Sequence, residues 1–151
     1  MYTGLLYIAS DHAGYGLKKR LIRYINNELN LKVEDMGAKQ YDENDDFPDF
    51  ILPATQKAVA NNGRVIVIGG SGNGEAIAAN KVTGMRCILA HSIETAQLGR
   101  THNNANGIAF GARIITEEHA MAMLKIWLET EFLGGKYELR NIKIKQFEEK
   151  K

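Results

Sequence analysis

The chain has 151 residues, 44% hydrophobic and 25% charged, with a formal net charge of +1. That length suits one domain around one core, spanning residues 1–151. The near-neutral balance argues against nucleic acid or an anionic membrane as the main partner, since both select a basic excess. A single cysteine, Cys87, excludes an internal disulfide and suits a reducing compartment, so a soluble cytoplasmic protein is expected. No apolar run approaches a membrane span. The N-terminus enters a strand-like run at once, with no basic region or cleavage site, so no leader is expected.

In chain order, residues 4–10 (GLLYIAS) are almost continuously apolar and stop at a polar cluster, which predicts a strand. Residues 16–29 set Leu17, Leu21, Ile22, Ile25 and Leu29 at helical spacing, with Lys18, Lys19, Arg20 and Arg23 between them. Residues 31–36 predict a short second strand, and the acidic stretch 42–49 a flexible loop. Residues 48–62 predict a helix with Pro48 and Pro53 near its first turns. Residues 64–68 (RVIVI) read as a buried strand ending at Gly69-Gly70. A helix over 75–82, a strand over 86–90 and a helix over 92–102 follow. The pattern closes with a strand over 107–110, an amphipathic helix over 117–130 carrying Trp127, and a last helix over about 138–149. Strands apolar on both faces and separated by helices imply an α/β fold: an open five-stranded parallel sheet covered on both sides.

In such sheets ligands bind at the carboxyl ends of the strands, where strand order reverses. The first strand ends in Ser10-Asp11-His12-Ala13-Gly14 and the third in Gly69-Gly70-Ser71-Gly72-Asn73-Gly74-Glu75. His91 follows the fourth strand, and Gly111 and Arg113 follow the fifth. The polar and glycine-rich residues are therefore expected on one rim, with nothing comparable on the other. The glycine-rich loop opens a helix and exposes successive N–H groups, a nest for a phosphate, a carboxylate or a developing oxyanion. It is not a P-loop, because Glu75 and Ala76 stand where the lysine and the Mg²⁺-binding hydroxyl belong. It is not a dinucleotide fingerprint either, since Glu75 occupies the last glycine position. A glutamate at the mouth of an anion nest suits proton abstraction next to a carbonyl. Glu75 would equally suit a helix N-terminus through the dipole alone.

The other candidates also have plain structural uses. Asp11 and His12 would cap a helix, and His102 would suit a helix C-terminus. His91 and His119 read as structural or solvated, Cys87 as a small core residue, and Trp127 as core. The histidines lack metal-ligand spacing, so no metal site is expected. Lys136 and Arg140 lie four residues apart and could hold one phosphate, or could belong to a solvated helix face.

The runs Ile8 to Gly14 and Gly69 to Glu75, with the following Ile77 to Val82, the pair His102-Asn103-Asn104, and Phe110-Gly111-Ala112-Arg113 together resemble the ribose-5-phosphate isomerase B family, which includes galactose-6-phosphate isomerase subunits. The resemblance covers essentially the whole chain. It implies a Rossmann-like five-stranded sheet, homodimers or dimers of dimers with sites between subunits, a last helix that contacts the partner, and no metal or organic cofactor. The implied activity is interconversion of ribose 5-phosphate and ribulose 5-phosphate through an enediolate. It implies Glu75 as the base between C2 and C1; some members use a cysteine at position 69, where this chain has glycine. Ser71 and the amides of Gly70, Gly72, Asn73 and Gly74 would hold the enediolate oxygens. His102 with Asp11 would open the furanose ring, and Asn103 would hold a hydroxyl. His12, Arg113 and Arg140, with Lys136 beside them, would grip the phosphate. Three positions depart from the common pattern: Lys136 for arginine, Tyr137 for histidine and Phe47 for tyrosine. All three lie at the end of the pocket that senses substrate length, so galactose 6-phosphate, allose 6-phosphate or a tetrose phosphate stays open, as does a non-catalytic sugar-phosphate sensor.

Overall fold

The computed structural model describes residues 1–150. In chain order it contains β1 (Leu6–Ser10), α1 (Tyr15–Asn27), β2 (Glu34–Asp35), α2 (Pro48–Ala60), β3 (Arg64–Gly69) and α3 (Asn73–Ala79). These are followed by β4 (Cys87–Leu89), α4 (Ile93–Asn103), β5 (Gly107–Gly111), α5 (Glu117–Glu129) and α6 (Lys136–Glu148). All pairings are parallel, in the order β2-β1-β3-β5-β4. After β1 the chain steps outward to β2, then crosses to the other side of β1 to lay down β3. The reversal opens a crevice beyond the carboxyl ends of β1 and β3.

The period-two alternation of the strands divides their side chains between two cores. Leu6, Ile8, Ile66, Ile68, Ile108 and Phe110 point to the layer containing α1, α4 and α5, where Leu17, Leu21, Ile25, Met123, Leu124 and Trp127 meet them. Tyr7, Ala9, Val65, Val67 and Ala109 point to the other face, against Ile51, Ala54 and Ala58 of α2 and Ala76 and Ala79 of α3. Large side chains therefore dominate one face and small ones the other, which lets α3 sit close to the sheet.

The second strand is shorter than the 31–36 expected from sequence. Only Glu34 and Asp35 pair, with Tyr7 and Ile8 at the sheet edge, and Glu34 is exposed. Backbone hydrogen bonds from Met36 to Ile8, Ser10 to Gly37 and Ala38 to Ser10 continue this edge, and a buried charge clips it to α1. Lys18 on α1 is 0% exposed. Its ammonium donates to Asp35 Oδ1 at 2.7 Å and to the Ala38 carbonyl at 2.5 Å. Burial pulls the Lys18 pKa down, and the hydrogen bond and charge of Asp35 hold it up. Asp35 also accepts the Gly37 N–H at 2.9 Å. A helical position that looked like a solvated lysine is thus a clip between α1, β2 and the turn after it.

The amino-end rim of the sheet is not the featureless edge expected from sequence. Arg64 donates to the Trp127 carbonyl at the end of α5. Arg86 donates to the carbonyls of Asn103 and Asn104 after α4, and Arg100 to those of Ala105 and Thr130. These guanidinium groups satisfy the carbonyls that helix C-termini leave unpaired. Asp35→Ala, which strands the buried ammonium, is expected to cost about 3 kcal/mol, whereas Lys18→Met removes the charge itself and is expected to cost less than about 1.5 kcal/mol. Urea midpoints at unchanged slope would establish the order; equal losses would refute the clip.

Candidate active site

The crevice between β1 and β3 is lined by the ends of β1, β3 and β5 and by the segment that leads into α2. Two backbone features shape its floor. Gly72 precedes α3 with φ +80°, a left-handed conformation that favours glycine. A Cβ on Gly69 would overlap the Glu75 carboxylate, so the bare backbone at the end of β3 makes the space in which that carboxylate lies. Glu75 sits in the first turn of α3 and is 4% exposed. Burial raises its carboxyl above the ordinary carboxylate range and the charge of Asp11 pushes it the same way, while its own backbone N–H opposes the shift. A buried carboxylate with a raised pKa is a stronger proton acceptor than a solvated one. The ring of Phe47 lies against Gly74 and closes the loop from the α2 side.

Ser71 and Asn73 are exposed on the loop, Gly70 and Gly74 are half-buried, and Gly72 is buried. The Ser71 hydroxyl accepts the Asn73 N–H at 3.2 Å, which ties the turn together. Asp11 is buried, and its Oδ1 accepts the Gly14 N–H at 3.1 Å. Asp11 therefore braces the turn that leads into α1 rather than capping the helix itself, and its second oxygen still lies 4.0 Å from His12 Nδ1. His12 meets Asp45, whose Oδ1 accepts both the His12 backbone N–H at 2.9 Å and the ring Nδ1–H at 2.7 Å. That hydrogen bond raises the His12 pKa; the charges of Asp11 and Asp45 add to it, and burial and Arg113 oppose it. Arg113, in the turn after β5, projects over Gly70, where a Cβ would stand 3.2 Å from its Nη1. Asp11, His12, Gly70, Ser71, Gly72, Asn73, Gly74, Glu75 and Arg113 thus gather as expected.

His102, Asn103, Lys136 and Arg140 do not join them. α4 runs antiparallel to the strands, so its last turn lies at the amino-end rim, where Arg86, just ahead of β4, bonds the carbonyl of Asn103. A five-residue strand separates the rims by about 17 Å. Within one chain, His102 therefore cannot act with Asp11. His102, Lys136 and Arg140 form their own cluster instead. The His102 ring stacks on Tyr137 at 4.1 Å between centroids and 10° between planes. Lys136 and Arg140 stand 5.2 and 5.6 Å from the centre of the same ring. Tyr137, an outlier by sequence, is the centre of this cluster.

Asp45 was missed from sequence: it lies in an acidic run read as a flexible loop, and nothing in that run marks one carboxylate from another. His91 is exposed and Cys87 is buried, with its thiol pushed up by burial, as expected. Among the described residues no helix is long and apolar enough to cross a membrane.

Known proteins share this fold. A Mycobacterium tuberculosis protein named ribose-5-phosphate isomerase B is 44% identical over 140 residues, covering 92% of this chain and 86% of that one. The structure of ribose-5-phosphate isomerase B from Mycoplasma genitalium with bound ribulose-5-phosphate superposes with a TM-score of 0.93 at 35% identity, covering 100% of both chains. That of Clostridium thermocellum ribose-5-phosphate isomerase B gives 0.92 at 36% identity, covering 96% of this chain and 97% of that one. The family model described as ribose/galactose isomerase matches residues 6–144. With the family model matching residues 6–144 and these relatives alike over nearly the whole chain, the protein belongs to the ribose/galactose isomerase family.

Proposed function

We propose that this protein is an aldose–ketose isomerase that interconverts D-ribose 5-phosphate and D-ribulose 5-phosphate, acting in the cytoplasm as part of pentose phosphate metabolism. The observation that carries the reading is the Glu75 carboxylate, buried in the space left by Gly69 beside a loop of backbone amides. The names and the bound ketose of the relatives support the substrate.

Ribose 5-phosphate is mostly a closed furanose, so the ring must open first. His102 gives a proton to the ring oxygen while Asp11 takes the proton of the C1 hydroxyl, which leaves the free aldehyde. Glu75 then removes the proton from C2. The electrons move into the C1–C2 bond, and the charge settles on O1, held by the loop amides and the Ser71 hydroxyl. Glu75 returns its proton to C1, and transfer of the O2 proton to O1 yields the ketose. The phosphate, held by His12 and Arg113 at one end, keeps C1 and C2 at the base. Asn103 receives a sugar hydroxyl.

Because His102, Asn103, Lys136 and Arg140 lie at the far rim of their own chain, the active centre takes these four from a second copy. α6 buries none of its residues and exposes Leu139, Ile142 and Ile144, as a helix seated on a partner subunit would. A homodimer, or a dimer of dimers, is the unit of catalysis. Phe47 lies at the glycine loop and Lys136 and Tyr137 in the far cluster, and because all three depart from the common pattern, hexose and tetrose phosphates belong in the same assay.

In D₂O, proton NMR of ribose 5-phosphate is expected to show ribulose 5-phosphate with the wild type and at least about 10³-fold less turnover with Glu75→Gln. Undiminished turnover by the variant would refute the base, and turnover of only another aldose phosphate would refute the substrate. Ribulose 5-phosphate cannot form a furanose, because its O5 is esterified. His102→Asn is therefore expected to lose about 10²-fold on ribose 5-phosphate, yet to retain deuterium exchange at C1 of ribulose 5-phosphate within about tenfold. Equal losses in both assays would remove His102 from ring opening. Coexpressed Glu75→Gln and His102→Asn chains are expected to recover roughly a quarter of wild-type activity in the pool, since about half the dimers are mixed and each of those has one intact centre of two. No recovery would mean that the centre is not shared.

A further inference from the structure

We propose that Asp45 is the positioning residue of the phosphate end of the site: it fixes the His12 ring with Nδ1–H turned toward the protein and maintains it as the cation that receives the sugar's phosphate. This inference rests on the proposed reading of His12 as a phosphate contact.

Three observations carry it. First, one oxygen of Asp45 holds His12 twice, through the backbone N–H at 2.9 Å and the ring Nδ1 at 2.7 Å. Second, the Asp45 side chain is 9% exposed, although it comes from an acidic segment whose neighbours Asp42, Glu43 and Asp46 are exposed. The segment thus folds back to deliver one carboxylate, which spans 33 residues of sequence to reach the end of β1. Third, the imidazole is only partly covered and lies near enough to Arg113 to feel its charge.

The chemistry follows from the donor count. A carboxylate only accepts hydrogen bonds, so its partner Nδ1 must carry the proton. A neutral His12 would then present the lone pair of Nε2 to an incoming phosphate and repel it. Only the imidazolium offers Nε2–H, and the same carboxylate favours the imidazolium. The groups facing this ring are Asp45 from the acidic segment, Asp11 from its own strand end, Arg113 from the turn after β5, and Tyr41 edge-on at 6.3 Å. Arg113 alone opposes protonation, and a phosphate placed between the two cations offsets that repulsion. Grip on the substrate should therefore weaken as pH rises through the His12 titration. Removing the Asp45 charge should bring that weakening to lower pH.

The variant is Asp45→Asn, which preserves shape and an acceptor for the backbone N–H. Nitrogen-15 NMR of the imidazole is expected to show wild-type His12 titrating above the ordinary histidine range, with its neutral form protonated on Nδ1. In Asp45→Asn the midpoint is expected to move down. In steady-state assays KM for ribose 5-phosphate is expected to rise about fivefold near pH 8 and less than about twofold near pH 6, with kcat held within about twofold. An unmoved midpoint, an unchanged KM profile, or a fall in kcat at constant KM would each overturn the proposal. His12→Gln separates the two levels of the argument. If it raises KM while Asp45→Asn does not, Asp45 has no positioning role and the phosphate reading stands. If it leaves KM unchanged, the phosphate reading itself fails. Inorganic phosphate is the independent probe: in the wild type it is expected to raise the His12 midpoint further, whatever sugar the enzyme turns over, and no response would overturn the proposal.

Discussion

The Glu75 carboxylate fills the volume that a side chain at position 69 would need, and much of the local structure answers to that packing. β3 must end on a residue with no Cβ. The chain then has to turn sharply enough to bring position 75 back over position 69, and the left-handed Gly72 provides the turn. α3 must lie close to the sheet, which the small residues Ala76 and Ala79 allow on the face where the strands present Ala9, Val67 and Ala109. A buried carboxylate also has to be kept from water on its outer side, and Phe47 lies over the loop at Gly74. Each of these choices is cheap alone. Together they hold a raised-pKa acid at the crevice where the sheet changes direction.

A parallel sheet has two unlike rims, and this chain uses both. Helix N-termini and strand ends meet at the carboxyl rim, where N–H groups are in surplus and anions are welcome. Helix C-termini meet at the other, where carbonyls are in surplus. Arg64, Arg86 and Arg100 are spent there on the carbonyls of α4, α5 and the following turns, with Arg64 also packed 4.0 Å from the Tyr2 ring centre. The cluster of His102, Tyr137, Lys136 and Arg140 shares that side of the molecule but is built differently. Its cations rest on an aromatic face, where they remain available to an external anion.

The sheet was legible in the sequence because alternation and helical spacing report burial directly. The edge strand was not: Leu31 and Val33 help cover the core from outside, and the regular ladder is confined to Glu34 and Asp35, with Met36 to Ala38 bonding the end of β1 irregularly. The glycine loop and Glu75 were legible because their residue types make sense only as an anion nest with a base beside it. Two things could not be read. Lys18 has the spacing of a surface lysine, and its burial depends on where Asp35 lands after an intervening helix and turn. Asp45 is one carboxylate among several, and its selection depends on the fold-back of the segment before α2. Both are contacts between distant parts of the chain, to which local periodicity is blind.

The direction of α4 decides with which residues His102 can act. A helix that returns from the carboxyl rim to start the next parallel strand must end at the amino rim. Any residue in its last turn is then a strand's length from the catalytic loop. If such a residue acts in the reaction, symmetry offers the route, because a two-fold axis can set one chain's amino rim against its partner's carboxyl rim, twice over. Charge fits this division. The carboxyl rim carries Glu75, Asp11 and Asp45 with His12 and Arg113, while the far cluster brings Lys136 and Arg140 without a carboxylate in ion-pair contact among the described residues. A dianionic sugar phosphate lying between the two surfaces would complete the balance that neither reaches alone, so substrate affinity and subunit association should be coupled through one shared anion.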